Sequence, residues 1–182
     1  MSRINTPASI DTAPAGSQPL LEAVKKQFGI VPNLFRVVGN SPAALEGYLG
    51  LNAALGKGAV DAKTRERIAL AVAEINGCDY CLAAHSYMGA NLAKLDEAEI
   101  LANRRGTSGD AKADAAVRFA VAVTKARGRV GNGDVEAIRA AGFSDAQIVE
   151  IVLHVALNTL TNYVNNVAET AIDFPVAKPL AA

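Results

Sequence analysis

Cys78 and Cys81 are the only two cysteines of this 182-residue chain, and His85 follows the second of them after three residues. On a helix, positions three and four apart lie on one face, so this spacing brings two thiols and an imidazole together. Two α-carbons three helical residues apart also lie within the reach of a disulfide. Asn76-Gly77 breaks the chain just before the pair, which places both sulfurs at the start of a helix. Free backbone N–H groups and the positive end of the helix dipole favour thiolate there. His85, one turn on, can take the thiol proton. The chemistry expected is a dithiol that opens and closes, reactive as thiolate towards peroxides and disulfides.

Other uses of the two sulfurs are weaker. A bond between such close neighbours closes too small a loop to matter as a structural staple. In a reducing compartment a close pair is catalytic or metal-binding. Structural zinc takes four side-chain ligands, and this chain adds only His85 and His154 to its cysteines, so no metal is expected. Buried cysteines that merely pack are the blander alternative. Glu66 and Glu74 stand eight residues apart on the preceding helix, and either could orient His85 or relay its proton. His154 lies among apolar residues and reads as a core or interface histidine. Asn158, Asn162 and Asn165, with Thr161 and Tyr163 nearby, make a polar stripe that lines a cavity, a subunit contact or a solvated face.

The elements that carry these residues read as helices throughout. Pro19 to Phe28 forms the first, closed by Gly29, and Leu34 to Val38 a short second. Ser41-Pro42 opens a helix that ends at Gly56, and Asp61 caps the next, which runs to Ile75. The dithiol helix begins near Cys78 or Asp79 and reaches about Ala93. Asp96 starts a short helix to about Asn103, and Asp110 to Arg127 is long and alanine-rich. Gly131-Asn132-Gly133 reads as a turn before a helix over Asp134–Ala141. Ser144 and Gln147 fit a capping box for a last helix over about 145–169, apolar nearly all round in its first half. No convincing alternating strand appears. The expected fold is therefore all-α, an irregular orthogonal helical bundle, with a mobile N-terminal arm over 1–17 and one domain over 18–182.

Bulk composition narrows the partners. Lys plus Arg and Asp plus Glu are 18 each, so the formal net charge is zero. No basic excess draws the chain to nucleic acid or an anionic membrane, and little repulsion opposes self-association. The first residues lack the apolar run of a secretory leader, and no stretch of about 18 apolar residues is present, so a cytoplasmic protein is expected.

The segment from Glu66 through Cys78-Asp-Tyr-Cys81 to His85 resembles the signature of the alkylhydroperoxidase D (AhpD) family, in the carboxymuconolactone decarboxylase-like superfamily. Val31-Pro-Asn-Leu-Phe-Arg followed by Ser41-Pro resembles the N-terminal part of its peroxidase-related branch. Ala141 to Asn166 and Asp173-Phe-Pro175 are similar to the C-terminal part, so the likeness spans about 19–175. The resemblance implies an AhpD-like helical fold, homo-oligomers (often trimers or hexamers), and a thiol-dependent hydroperoxide reductase. Matched by position, it makes Cys81 the peroxidatic cysteine, Cys78 the resolving one, and His85 with Glu66 the proton relay. It implies no tightly bound cofactor but an external dithiol reductant, lipoyl-bearing in the best-known members. Those members carry histidine immediately before the second cysteine, where this chain has Tyr80, a poor proton shuttle at neutral pH because tyrosine ionises near 10. Glu74 is the residue that could support the relay in its place. A protein disulfide reductase, or a redox-sensing oligomer that does not turn over peroxide, would use the same dithiol.

Overall fold

The computed structural model describes residues 2–180. Among these residues the secondary structure is helical: α1 Gln18–Phe28, α2 Asn33–Val38, α3 Pro42–Leu55, α4 Ala62–Ile75, α5 Asp79–Asn91, α6 Glu97–Arg104, α7 Ala111–Lys125, α8 Asn132–Ala140 and α9 Asp145–Ala168. The starts follow local chemistry. Asp61, Asp96 and Asp110 each accept the N–H three residues on, at 2.8–3.0 Å, and Ser41 and Ser144 do the same at 3.3 Å. Gln147 returns the bond to the Ser144 N–H at 3.1 Å and completes the expected capping box.

One expected turn is a helix. Gly131 caps α8, and Asn132-Gly133 form its first turn rather than a loop before it. Asp134 is the reason: its carboxylate takes the Gly131 N–H at 2.8 Å, the half of a capping box that needs no side chain from the glycine.

α4 is the hub. It packs against α5, α6, α7 and α9, and Ile68, Leu70 and Val72 on it are wholly buried. The largest apolar groups gather on two sides of it. One gathers α1, α2 and the dithiol segment, with Leu21, Phe35, Leu45, Cys78, Tyr80 and Cys81; the other joins α7, α8 and α9 through Phe119, Ile138, Phe143 and Ile151. Glu99 on α6 pins the loop after that helix. Against the burial that would raise its pKa, bonds from Ser108, Gly109, Asn103 and Arg67 hold its carboxyl down at about 2.

The first and last described segments lie along the body. Arg3 N donates to Ala168 O at 2.6 Å, Asn40 Nδ2 to Asn5 O at 2.7 Å and Arg36 Nη1 to Ala8 O at 3.1 Å. Ala13 is in the core, so the boundary expected after residue 17 falls inside a packed unit. At the other end, Asn33 N donates to Asp173 Oδ2 at 2.7 Å, and Arg104 Nη1 to Lys178 O at 2.7 Å. No single described helix is long and apolar enough to cross a membrane.

His154 sits buried on α9, as a core histidine. Burial first, and then the charge of Arg65, push its pKa down to about 4, against an opposing pull from Glu150. Unfolded, the ring would titrate near 6.5. Between those values the unfolded chain holds the extra proton, so stability must fall as pH falls from about 6.5 to about 4. The thermal midpoint should therefore drop less over that window in His154→Leu than in the native chain; parallel slopes would contradict the assignment.

Candidate active site

The site begins with the turn that ends α4. Gly77 adopts φ +60°, the left-handed region, immediately after the last helical residues. Its N–H bonds to Glu74 O at 3.2 Å, and the next N–H, that of Cys78, reaches back to Ala73 O at 3.0 Å. This is the Schellman arrangement, which glycine adopts without steric cost. Cys78 then leaves in an extended conformation as the N-cap of α5, and its Sγ accepts the Cys81 N–H at 3.3 Å. A single glycine thus reverses the chain between two helices and sets a sulfur where a capping oxygen usually stands.

The two sulfurs are joined as a disulfide, with α-carbons 5.3 Å apart. Cys78 is 0% and Cys81 3% exposed. Asn165, from the far α9, points its Nδ2 at Cys81 Sγ at 3.3 Å. The Oδ1 of the same amide is buried and has no hydrogen-bond partner. One amide therefore gives a donor to the sulfur and keeps an acceptor free beside it. Asn162 and Asn166, on the same helix, hold the α4–α5 turn: Asn76 Nδ2 donates to Asn162 Oδ1 at 2.8 Å, and Asn166 Nδ2 to Asn76 O at 2.9 Å. Of the polar stripe read in the sequence, Asn158, Thr161, Asn162 and Asn165 are buried, the last two against the dithiol segment, and Tyr163 is exposed.

His85 lies one turn below Cys81, and its Nδ1 meets Glu66 Oε2 at 2.9 Å, both side chains about one-fifth exposed. The imidazole is thereby oriented from α4, and the pair forms the accessible rim of an otherwise buried site. Of the two acids considered in the sequence, the fold brings only Glu66 to the histidine. Glu74 is turned to Arg104, whose Nε donates to its Oε2 at 2.7 Å. The eight-residue spacing put both acids on nearly one side of α4, but the buried guanidinium of α6 claims the second.

Tyr80 also points away from proton transfer. Its hydroxyl accepts the Leu34 N–H at 3.1 Å, and its ring meets Phe174 edge-on at 5.9 Å. Burial raises its pKa well above the ordinary tyrosine value, and Asp173 adds to the rise, against the bond from Leu34. It stays protonated at neutral pH and ties α5 to α2 and the C-terminal segment. Two site neighbours were not singled out in the sequence. Tyr48 of α3 packs half-buried against the dithiol cluster, and desolvation followed by the charge of Glu66 pushes its pKa up to about 12. Asn165 was read only as part of a stripe; nothing in its spacing announces a sulfur partner 84 positions away. Among the described residues, no group of three or more His, Cys, Asp or Glu side chains is placed to hold a metal ion.

Comparison with known proteins places this arrangement in context. The pattern of the carboxymuconolactone decarboxylase family matches residues 42–126, from α3 to the end of α7. An uncharacterized protein of Haemophilus influenzae is 45% identical over 64 residues, which are 35% of this chain and 51% of that protein; the chain spans about half the length of this curated relative. Two crystal structures are similar along most of their length. An alkylhydroperoxidase AhpD core, the peroxidase-related protein from Ralstonia eutropha JMP134, superimposes with a TM-score of 0.84 at 25% identity, covering 94% of this chain and 92% of the other. A peroxidase-related protein from Silicibacter sp. TM1040 gives 0.79 at 25% identity, covering 94% of each. The debrominase Bmp8, in a cysteine-to-alanine variant holding 2,3,4-tribromopyrrole, shares the fold at a TM-score of 0.79 and 19% identity, over 95% and 94% of the two chains.

The turn itself can be tested. A Cβ at position 77 would meet nothing within 4 Å, so a substitution there costs backbone conformation alone. Gly77→Ala should lower the unfolding free energy by about 1–2 kcal/mol, the cost of a left-handed L-residue. An unchanged denaturant midpoint would show that the turn can be made another way.

Proposed function

We propose that this chain, which carries a carboxymuconolactone decarboxylase family domain with an AhpD-like fold, is a thiol-dependent hydroperoxide reductase with Cys81 as its peroxidatic residue. One observation carries the reading: a bonded Cys78–Cys81 pair at the start of α5, with a carboxylate-oriented imidazole one turn below it.

In the reduced protein, His85 accepts the Cys81 thiol proton, and Glu66 stabilises the resulting imidazolium. The thiolate attacks the terminal oxygen of R–O–OH. An S–O bond forms and the O–O bond breaks; sulfur is oxidised to sulfenic acid and the peroxide is reduced to an alkoxide, which takes the proton from His85 and leaves as the alcohol. The Cys78 thiol then attacks the sulfenic sulfur. The S–S bond forms, and the hydroxyl departs with the Cys78 proton as water. An external dithiol restores the pair by exchange, becoming a disulfide itself.

Burial supports the peroxide reading over its alternative: Cys78 is 0% and Cys81 3% exposed, which suits a small hydroperoxide better than a folded protein's disulfide. The same burial favours a slender reductant, such as a lipoyl arm or a small dithiol, over a bulky one. Tyr80 takes no part in the relay, which consists of His85 and Glu66, and Glu74 is engaged with Arg104. Asn165 is a positioning residue: its amide N–H holds the attacking sulfur and stabilises it as thiolate, as a donor to a charged acceptor does.

Reduced protein given an organic hydroperoxide and excess dithiol should consume the peroxide, and Cys81→Ser should abolish turnover. Cys78→Ser should stop after one equivalent with a sulfenic acid trapped on Cys81 by a dimedone reagent. Wild-type turnover surviving in Cys81→Ser would refute the assignment. Asn165→Leu should slow oxidation of the thiol by about tenfold, the loss of one charge-assisted bond, and slow alkylation of Cys81 by iodoacetamide in parallel. Loss of peroxide reactivity with alkylation unchanged would mean that Asn165 does not act on the sulfur.

A further inference from the structure

The chain has two Asn-Gly dipeptides, Asn76-Gly77 and Asn132-Gly133. Asparagine before glycine is prone to deamidation. The glycine nitrogen attacks the asparagine Cγ, a C–N bond forms, and the side-chain nitrogen leaves as ammonia. Water then opens the five-membered imide at either carbonyl and gives aspartate or isoaspartate. Glycine favours the step because it has no Cβ to obstruct ring closure and its backbone turns freely. No enzyme or oxidant is required. The asparagine side chain and the next peptide nitrogen need only rotate to meet.

At Asn132 both are free to do so. Asn132 and Gly133 are exposed, and the Gly133 N–H belongs to the first turn of α8, where no helical carbonyl lies behind it. At Asn76 both are held. Asn76 N donates to Val72 O at 3.0 Å, and Gly77 N donates to Glu74 O at 3.2 Å. Asn76 Nδ2 donates to Oδ1 of the wholly buried Asn162 at 2.8 Å, and Asn166 Nδ2 donates to Asn76 O at 2.9 Å. Main chain and amide are therefore fixed against the rotation that closes the ring. Exclusion of water is not the means, because Gly77 is exposed and open space surrounds its α-carbon.

We propose that Asn76 is a latent deamidation site, and that the α9 amides of Asn162 and Asn166 keep it unreactive while the dithiol turn is closed. The consequence falls on the dithiol. Isoaspartate adds a methylene to the main chain immediately before Gly77, in the turn that sends the Cys78 N–H to Ala73 O and sets the Cys78 sulfur as the cap of α5. Aspartate keeps the chain length but sets a carboxylate against Asn162 Oδ1 where a donor stood. It also adds a negative charge two residues before Cys78, which opposes ionisation of the thiols. Either product disables the pair, so the turn that builds the site also sets its lifetime.

The full chain, aged in warm and mildly alkaline buffer, can be followed by peptide mapping of aspartate and isoaspartate at each position. Asn132 should convert and Asn76 should not, while in urea the two should convert at similar rates. Asn166→Ala changes an exposed side chain, keeps the fold, and should speed conversion of Asn76 about fivefold, the weight of one hydrogen bond. Asn132 in the same sample is the internal standard and should not change. Asn162→Val removes the other clasp and should act in the same direction. Asn76→Asp should slow alkylation of reduced Cys81 by iodoacetamide about tenfold. Native Asn76 converting as fast as Asn132 would overturn the proposal, as would clasp variants in which it stays as slow as in the native chain, or alkylation unaffected by Asn76→Asp. None of these readings uses a peroxide, so their failure is distinct from failure of the proposed reaction.

Discussion

Everything at the dithiol depends on how the chain turns between α4 and α5. Gly77 in the left-handed region lets the Cys78 N–H reach back to Ala73 while the Cys78 side chain moves forward to cap the next helix. The reversal fixes which face of α5 looks along α4, and so brings His85 to Glu66, nineteen positions earlier. Cap, disulfide and carboxylate–imidazole pair all follow from one backbone conformation that only glycine takes without strain. Asn162 and Asn166 secure the turn through Asn76, which makes α9 a structural member of the site.

The two faces of α9 answer different requirements. Toward the core, three amides and a neutral imidazole are buried beside aliphatic groups such as Ile151 and Leu157. Such groups are tolerated where they find partners, and several do: Asn158 Nδ2 bonds His154 O, and Thr161 Oγ1 bonds Asn158 O. The orphaned atoms that remain, among them Asn165 Oδ1 and His154 Nε2, are the ones a stability argument would remove. Asn165 Oδ1 belongs to the amide whose Nδ2 meets Cys81 Sγ at 3.3 Å. Toward solvent the same helix is apolar and uncharged.

Burial also bears on the chemistry. Both sulfurs are withdrawn from the surface, and the proposed choice of a small peroxide over a protein disulfide rests on that. The low polarity around them strengthens each bond that Asn165 and the helix start make to sulfur. Tyr80 shows how the fold uses a position between the cysteines for architecture. Its ring and hydroxyl stitch α5 to α2 and the C-terminal segment, and its raised pKa keeps it out of proton transfer.

The sequence alone determined what local rules control. Helix starts at Ser41, Asp61, Asp96, Asp110 and Ser144, the break at Asn76-Gly77, the shared face of Cys78, Cys81 and His85, and the all-helical class are set by side chains acting on backbone a few residues away. The one local error, the turn read over Gly131-Asn132-Gly133, came from weighing glycine content above the capping carboxylate of Asp134. Tertiary structure decided the rest. Glu66 and Glu74 are equivalent by spacing, and only the position of Arg104 on α6 separates them. Asn165 and Tyr48 become site residues because α9 packs on α5 and α3 packs on α9, and no periodicity records that. Long-range partners are chosen by how helices cross, and crossing is settled by the packing of whole faces, which the order of residues along one helix does not contain.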